Sequence, residues 1–145
     1  MNLKNLIAGM IAVFLLSTSV NARTYESDES KKIVVTITDS STMKSGFGLA
    51  VANAMQDAGV KSTVFITAEA VKFALKDGND EKFAGATPRE WISRLIEKGG
   101  KVMVCEGFVK LGVIKKADMI EGIGVSSPAF LAGSLFAPNS KAMTF

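Results

Sequence analysis

Residues 33–66, IVVTITDSSTMKSGFGLAVANAMQDAGVKSTVFI, decide the fold. Ile33 to Ile37 is a short β-branched run bounded by the turn-forming Asp39-Ser-Ser-Thr42, which is the pattern of a buried strand. From Ser45 the apolar positions Phe47, Ala50, Val51, Ala54, Met55 and Ala58 recur at spacings of three and four, and Gly59 closes the pattern. That spacing predicts an amphipathic helix with a C-terminal glycine. Lys61 to Ile66 reads as a second strand. Strand, helix and strand within about 35 residues is the length of one right-handed βαβ unit, so the two strands are expected to be parallel.

The alternation continues downstream. Thr67 is placed to cap a short helix through Leu75, and residues 76–85, KDGNDEKFAG, read as an exposed charged loop. Thr87-Pro-Arg-Glu90 is a capping box with proline in the first helical turn, and Trp91, Ile92, Leu95 and Ile96 form the expected buried stripe behind it. Gly99-Gly100 ends that helix and Lys101-Val-Met-Val-Cys105 follows as a third strand. Beyond it, glycines at 107, 112, 122 and 124 predict short elements and turns. Ser127-Pro128 opens a further helix to about Phe136, apolar nearly all round and therefore in need of cover on more than one side. Ala142 to Phe145 is a candidate terminal strand. The fold class is α/β, a three-layer α/β/α sandwich with a mainly parallel sheet of about five strands.

Upstream of Lys31 the sequence reads as an address. Residues 1–22 carry Lys4, an eleven-residue apolar run from Leu6 to Leu16, and a small-residue end at Val20 and Ala22. This is the three-part form of a secretory signal, and the run is well short of the roughly 20 residues that span a bilayer. Cleavage before Arg23 would leave 123 residues, in a periplasmic or secreted location with no permanent membrane anchor. The alternative is an uncleaved tail that tethers the domain. Residues 23–30, RTYESDES, read as a flexible leader, and 31–145 as one domain.

Composition removes much chemistry. The chain of 145 residues has no histidine, which excludes histidine-based triads and the usual zinc sites. Its single cysteine, Cys105, excludes an internal disulfide and a cysteine cage. A formal charge of +3 is too small to argue for nucleic acid, and no cofactor or metal is expected. The methionines at 43, 55, 103, 119 and 143 and Trp91 are read as core packing, and the acidic residues show no metal-binding spacing.

Ligands of an open parallel sheet gather at the carboxyl ends of its strands. Three features share that rim: the loop from Asp39, Thr67, and Cys105. A thiol where a strand turns into a helix lies near backbone N–H donors that favour the thiolate, with Lys110 adding positive charge and Glu106 opposing it. The opposite reading is a small buried hydrophobe. Ser40, Ser41, Thr42 and Lys44 precede a helix and offer hydroxyls and a cation for a small anion. Against that, the stretch lacks a P-loop pattern and equally describes a polar turn with an N-cap.

The strand and loop IVVTITDSS, the helix end and strand DAGVKSTVFITAEAV, the strand GGKVMVC and the closing KAMTF together resemble the DsrE/DsrF-like family over about residues 31–145. The resemblance implies that Cys105 in KVMVCEGF is a sulfur-accepting nucleophile that holds a persulfide and passes it to a protein partner. It also implies a homo-oligomer, trimer or hexamer. Some members carry a second cysteine three residues on, where this chain has Phe108, so a resolving thiol would have to come from a donor or acceptor protein. The export signal departs from the cytoplasmic relays of the family. Two functions compete: a periplasmic sulfur carrier or sulfurtransferase-like protein, and a non-catalytic oligomeric scaffold or small-anion-binding module with Cys105 buried.

Overall fold

A computed structural model describes Ser30 to Phe145 apart from Asn79; the signal reading of residues 1–22 and all of the leader except Ser30 lie outside the described residues. The first strand, β1, spans Lys32–Ile37, and the helix α1 that follows spans Thr42–Asp57. Strand β2, Lys61–Ile66, lies parallel to β1 with Lys32 beside Lys61 and Ile37 beside Ile66. The short helix expected between Thr67 and Leu75 is a 3₁₀ helix, Ala68–Ala74, but the Thr67 side chain makes no capping bond. Helix α2, Pro88–Glu97, leads to β3, Lys101–Cys105, and then a five-residue helix α3, Glu106–Lys110, and a short 3₁₀ turn, Lys116–Asp118. Strand β4 is Gly124–Ser126, helix α4 is Pro128–Leu135, and strand β5 is Ser140–Thr144.

All four strand pairings are parallel, in the order β4-β3-β2-β1-β5. The expected five-strand α/β sandwich is present. The chain steps in one direction from β1 to β4 and then returns across the sheet to β5. Right-handed crossovers therefore set α1 and α2 on one face and α4 on the other. Side-chain alternation agrees with this: Ile33, Val35, Ile37, Val64, Ile66, Val102 and Val104 join Leu49, Ala52, Ile92 and Leu95 in the main core. The other face carries Val34, Phe65, Met103 and Cys105, and its only helical cover among the described residues is the eight-residue α4.

The capping box is made in full. Glu90 N donates to Thr87 Oγ1 at 3.2 Å and Thr87 N donates to Glu90 Oε2 at 2.7 Å. Ser127 likewise caps α4, its Oγ accepting from Phe130 N at 3.2 Å. Ile92 and Leu95 are buried as expected, with Trp91 and Ile96 half-buried against the core.

Helix α1 corrects its sequence reading. It begins at Thr42, inside the stretch read as a loop, and its buried residues are Thr42, Ser45, Gly46, Gly48, Leu49, Ala52 and Asn53. Phe47, the first residue of the predicted stripe, is 50 % exposed, and Met55 also faces outward. The reason is distance. A Cβ on Gly48 would stand 2.5 Å from Ile37 Cδ1 and 2.8 Å from a ring carbon of Phe145, so only small residues let this helix lie so close to the sheet. Two of its buried polar side chains are hydrogen-bonded: Ser45 Oγ donates to the Asp39 carbonyl, and Asn53 Nδ2 donates to the carbonyls of Leu49 and Trp91, each at 3.0 Å, while Asn53 Oδ1 has no partner among the described residues. Met43 and Met143 are exposed as well, so three of the five methionines read as core are not.

Candidate functional site

Cys105 ends β3 and holds the N-cap position of α3, beside Ser126 of β4 in register. Strand periodicity puts it on the same face as Lys101 and Met103, beneath α4. It is half-buried. The thiol lines an opening of about 290 Å³ walled by Phe65, Pro128 and Leu131, with Gly107, Ser126 and Lys110 at its edges. Sequence logic accounts for each wall: Phe65 alternates outward from Val64 and Ile66 on β2, and the Ser127 cap with Pro128 aims α4 so that Leu131 faces the strand ends. A polarisable sulfur in a mainly apolar recess is suited to hold another neutral, polarisable atom.

Lys110 and Glu106, one turn apart on α3, form an ion pair at 3.0 Å, with the lysine largely in solvent. The cation expected to favour a thiolate thus has a carboxylate partner, and that carboxylate belongs to the residue next to Cys105. Gly107 keeps the approach to sulfur open: a Cβ there would come to 3.6 Å from Sγ.

The loop after β1 is built differently. Asp39 Oδ1 accepts from Ser41 N at 2.7 Å, an Asx turn, and Oδ2 accepts from Lys44 Nζ at 2.7 Å. The hydrogen bond from Lys44, followed by that from Ser41, holds the Asp39 carboxyl below its ordinary value, and Asp39 in turn raises Lys44. Thr42 is buried and Ser40 half-buried. The charge on Lys44 is therefore met inside the turn, and the loop offers a carboxylate where an anion would need donors.

The structure brings Cys105 and Lys110 to one cavity and leaves Ser40, Ser41, Thr42 and Lys44 outside it. The two groups share a rim of the sheet, but β1 and β3 stand two strands apart, about 10 Å, and the loop leads to the α1 face. The sequence had placed Phe65, Pro128 and Leu131 only within a strand and a helix, and it had assigned none of them, nor Ser126, to the surroundings of Cys105. Period-two alternation on β2 marks Phe65, whereas β4 is too short to signal itself.

The profile of the DsrE/DsrF-like family matches residues 31–135. No curated protein matches the chain. Among solved structures, the YchN protein from E. coli superposes with a TM-score of 0.65 at 19% identity, covering 79% of this chain and 98% of its own. A protein of unknown function from Methanobacterium thermoautotrophicum, MTH1491, does so with a TM-score of 0.63 at 17% identity, covering 79% of this chain and 99% of its own. Those likenesses carry the fold, and with a family match running from the first strand to the end of the last helix, the chain belongs to the DsrE/DsrF-like family.

Proposed function

We propose that this chain is an exported sulfur-handling protein in which Cys105 accepts sulfane sulfur as a persulfide and transfers it onward. The observation that carries the reading is the half-buried thiol at the end of β3, opening into an apolar cavity. Membership of a family generally related to sulfur relay supports it.

The chemistry balances without an added oxidant. The Cys105 thiolate attacks the outer sulfur of a donor persulfide, an S–S bond forms to Cys105, the donor's S–S bond breaks, and the donor leaves as a thiolate. A second thiolate then takes the outer sulfur from Cys105 by the same exchange, restoring the starting thiolate. Phe65, Leu131 and Pro128 shield the bound sulfur from water. With no second cysteine in the chain, donor and acceptor thiols are both supplied by other molecules.

The proposal includes export by residues 1–22 and a homo-oligomer, trimer or hexamer. Support for assembly comes from α4, where Ala129, Ala132 and Phe136 expose apolar surface. Incubation with polysulfide, or with thiosulfate and a sulfurtransferase, is expected to add one sulfur atom to Cys105, seen by mass spectrometry and reversed by a small thiol. Cys105→Ser is the control. An unchanged mass, with the thiol reacting only after denaturation, would leave the scaffold reading in its place.

A further inference from the structure

We propose that the cleft at the opposite end of the sheet from Cys105 binds a phosphate group, as inorganic phosphate or as a small phosphomonoester. Lys32, Lys61 and Lys101 are the first residues of β1, β2 and β3. Register sets Lys32 directly beside Lys61, while Lys101 pairs with Thr63, two residues along on the same face. All three line one cleft of about 350 Å³, roofed by Phe130 and Gly133 of α4.

No carboxylate lines this cleft. Among the described residues none of the three lysines forms an ion pair, although nearby Lys98 is joined to Asp57 at 2.8 Å. Strands lie about 4.8 Å apart, and like charges set directly opposite one another in a sheet are unfavourable. A dianion resting among the three ammonium groups converts that repulsion into charge-assisted hydrogen bonds.

The other walls fit an organic ester. Lys101 Nζ lies 5.9 Å from the Phe130 ring centroid, and Val34 and Ala137 add apolar surface beside it. Thr63 contributes a hydroxyl. A volume near the lower end of ordinary ligand sites, roughly 300 Å³, holds a phosphate with a small substituent. Lys101 and Cys105 bound the same strand, roughly 13 Å apart, so this site is separate from the thiol.

Calorimetric titration of the full chain with inorganic phosphate and with phenyl phosphate, at ionic strength fixed with chloride, tests the proposal. Saturable binding of either ligand is expected. Binding of both assigns the site to the phosphate group itself, and binding of phenyl phosphate alone assigns it to esters. Lys61→Gln and Lys101→Gln should each weaken affinity at least about tenfold. Lys98→Gln and Cys105→Ser should not, which separates this site from the sulfur chemistry. Gly133→Leu fills the roof without changing charge and should abolish binding while the fold, read by circular dichroism, persists. Absence of saturable binding, or equal affinity in the lysine variants or in Gly133→Leu, overturns the proposal.

Discussion

A Cβ built on Gly107 stands 3.6 Å from Sγ of Cys105, in ordinary van der Waals contact. Alanine therefore fits there, in the first turn of α3, and rests against the sulfur. Because glycine is the poorer helix former by about 0.5–1 kcal/mol, Gly107→Ala is expected to raise stability by up to that amount. The same methyl narrows the approach to the thiol, so alkylation of native Cys105 by iodoacetamide should slow severalfold. Urea unfolding and labelling kinetics read the two effects separately, and a labelling rate equal to wild type would show that reagents reach the sulfur from another side.

Glu106 and Lys110 predict the electrostatics of the same thiol. Glu106 places negative charge beside Cys105 and also occupies the lysine, at 3.0 Å. Glu106→Gln removes the one and frees the other, and alkylation at neutral pH is expected to speed up. Lys110→Gln leaves the carboxylate unbalanced and should slow it. The contrast should shrink in high salt, because the pair is solvent-exposed on the lysine side. Identical rates in both variants would mean that α3 does not govern the reactivity of Cys105.

These two tests use residues that the sequence marked, Cys105 at its strand end with Glu106 and Lys110 beside it. Strands β1, β2 and β3 and the capping box were legible because their signals are local: β-branched runs, closing glycines, and Thr87 with Glu90. The face of α1 was not, since hydrophobic periodicity finds large residues, and here close packing selects small ones, Gly48 against Ile37 of β1 and Gly46 against Phe83 of the 76–85 loop, while Phe47 turns outward. Strand β4 is three residues with a glycine and has no period to read. Cys105 could be found from its strand end. The cavity around it could not, because Phe65 and Leu131 meet only once the sheet order and the return of the chain through α4 are known. The same return crosses the start of three strands and turns their separate opening lysines into one cluster.

The capping box predicts a dependence on pH. The backbone N–H of Thr87 holds Glu90 below its ordinary value of 4.5. A carboxyl depressed in the folded state contributes stability above its unfolded value and loses it as pH falls through the folded one. The deficit of Glu90→Gln relative to wild type should therefore be full at neutral pH, begin to shrink as pH falls past 4.5, and vanish only once pH has dropped below the depressed value. Thr87→Ala, which removes the cap, should cost about 1 kcal/mol at neutral pH by urea unfolding. A Glu90→Gln deficit that persists unchanged into acid would point to packing and not charge.

Assembly can be tested at Phe136, which is 86% exposed at the end of α4. If the apolar outer surface of this helix meets a second copy, Phe136→Asp places a charge in that contact and should shift the mass measured by light scattering towards the monomer. Circular dichroism should be unaffected, since no core contact is lost. A wild-type monomer at all concentrations would remove the oligomer from the proposed function and leave the chemistry of Cys105 untouched.

The same substitution at two helical glycines should have opposite signs. Alanine at Gly133 meets nothing within 4 Å, so Gly133→Ala gains helix propensity alone, up to about 1 kcal/mol. At Gly48 the new methyl would lie 2.5 Å from Ile37 Cδ1 and 2.8 Å from the Phe145 ring, between β1 and the end of the chain. Overpacking of that kind costs about 1–3 kcal/mol, more than propensity returns, so Gly48→Ala should destabilise. Relief is specific: adding Ile37→Val, which removes the clashing Cδ1, should recover part of the loss in Gly48→Ala while destabilising wild type. If the two substitutions instead add independently in urea unfolding, α1 is not held against β1 through Gly48, and the outward turn of Phe47 needs another cause.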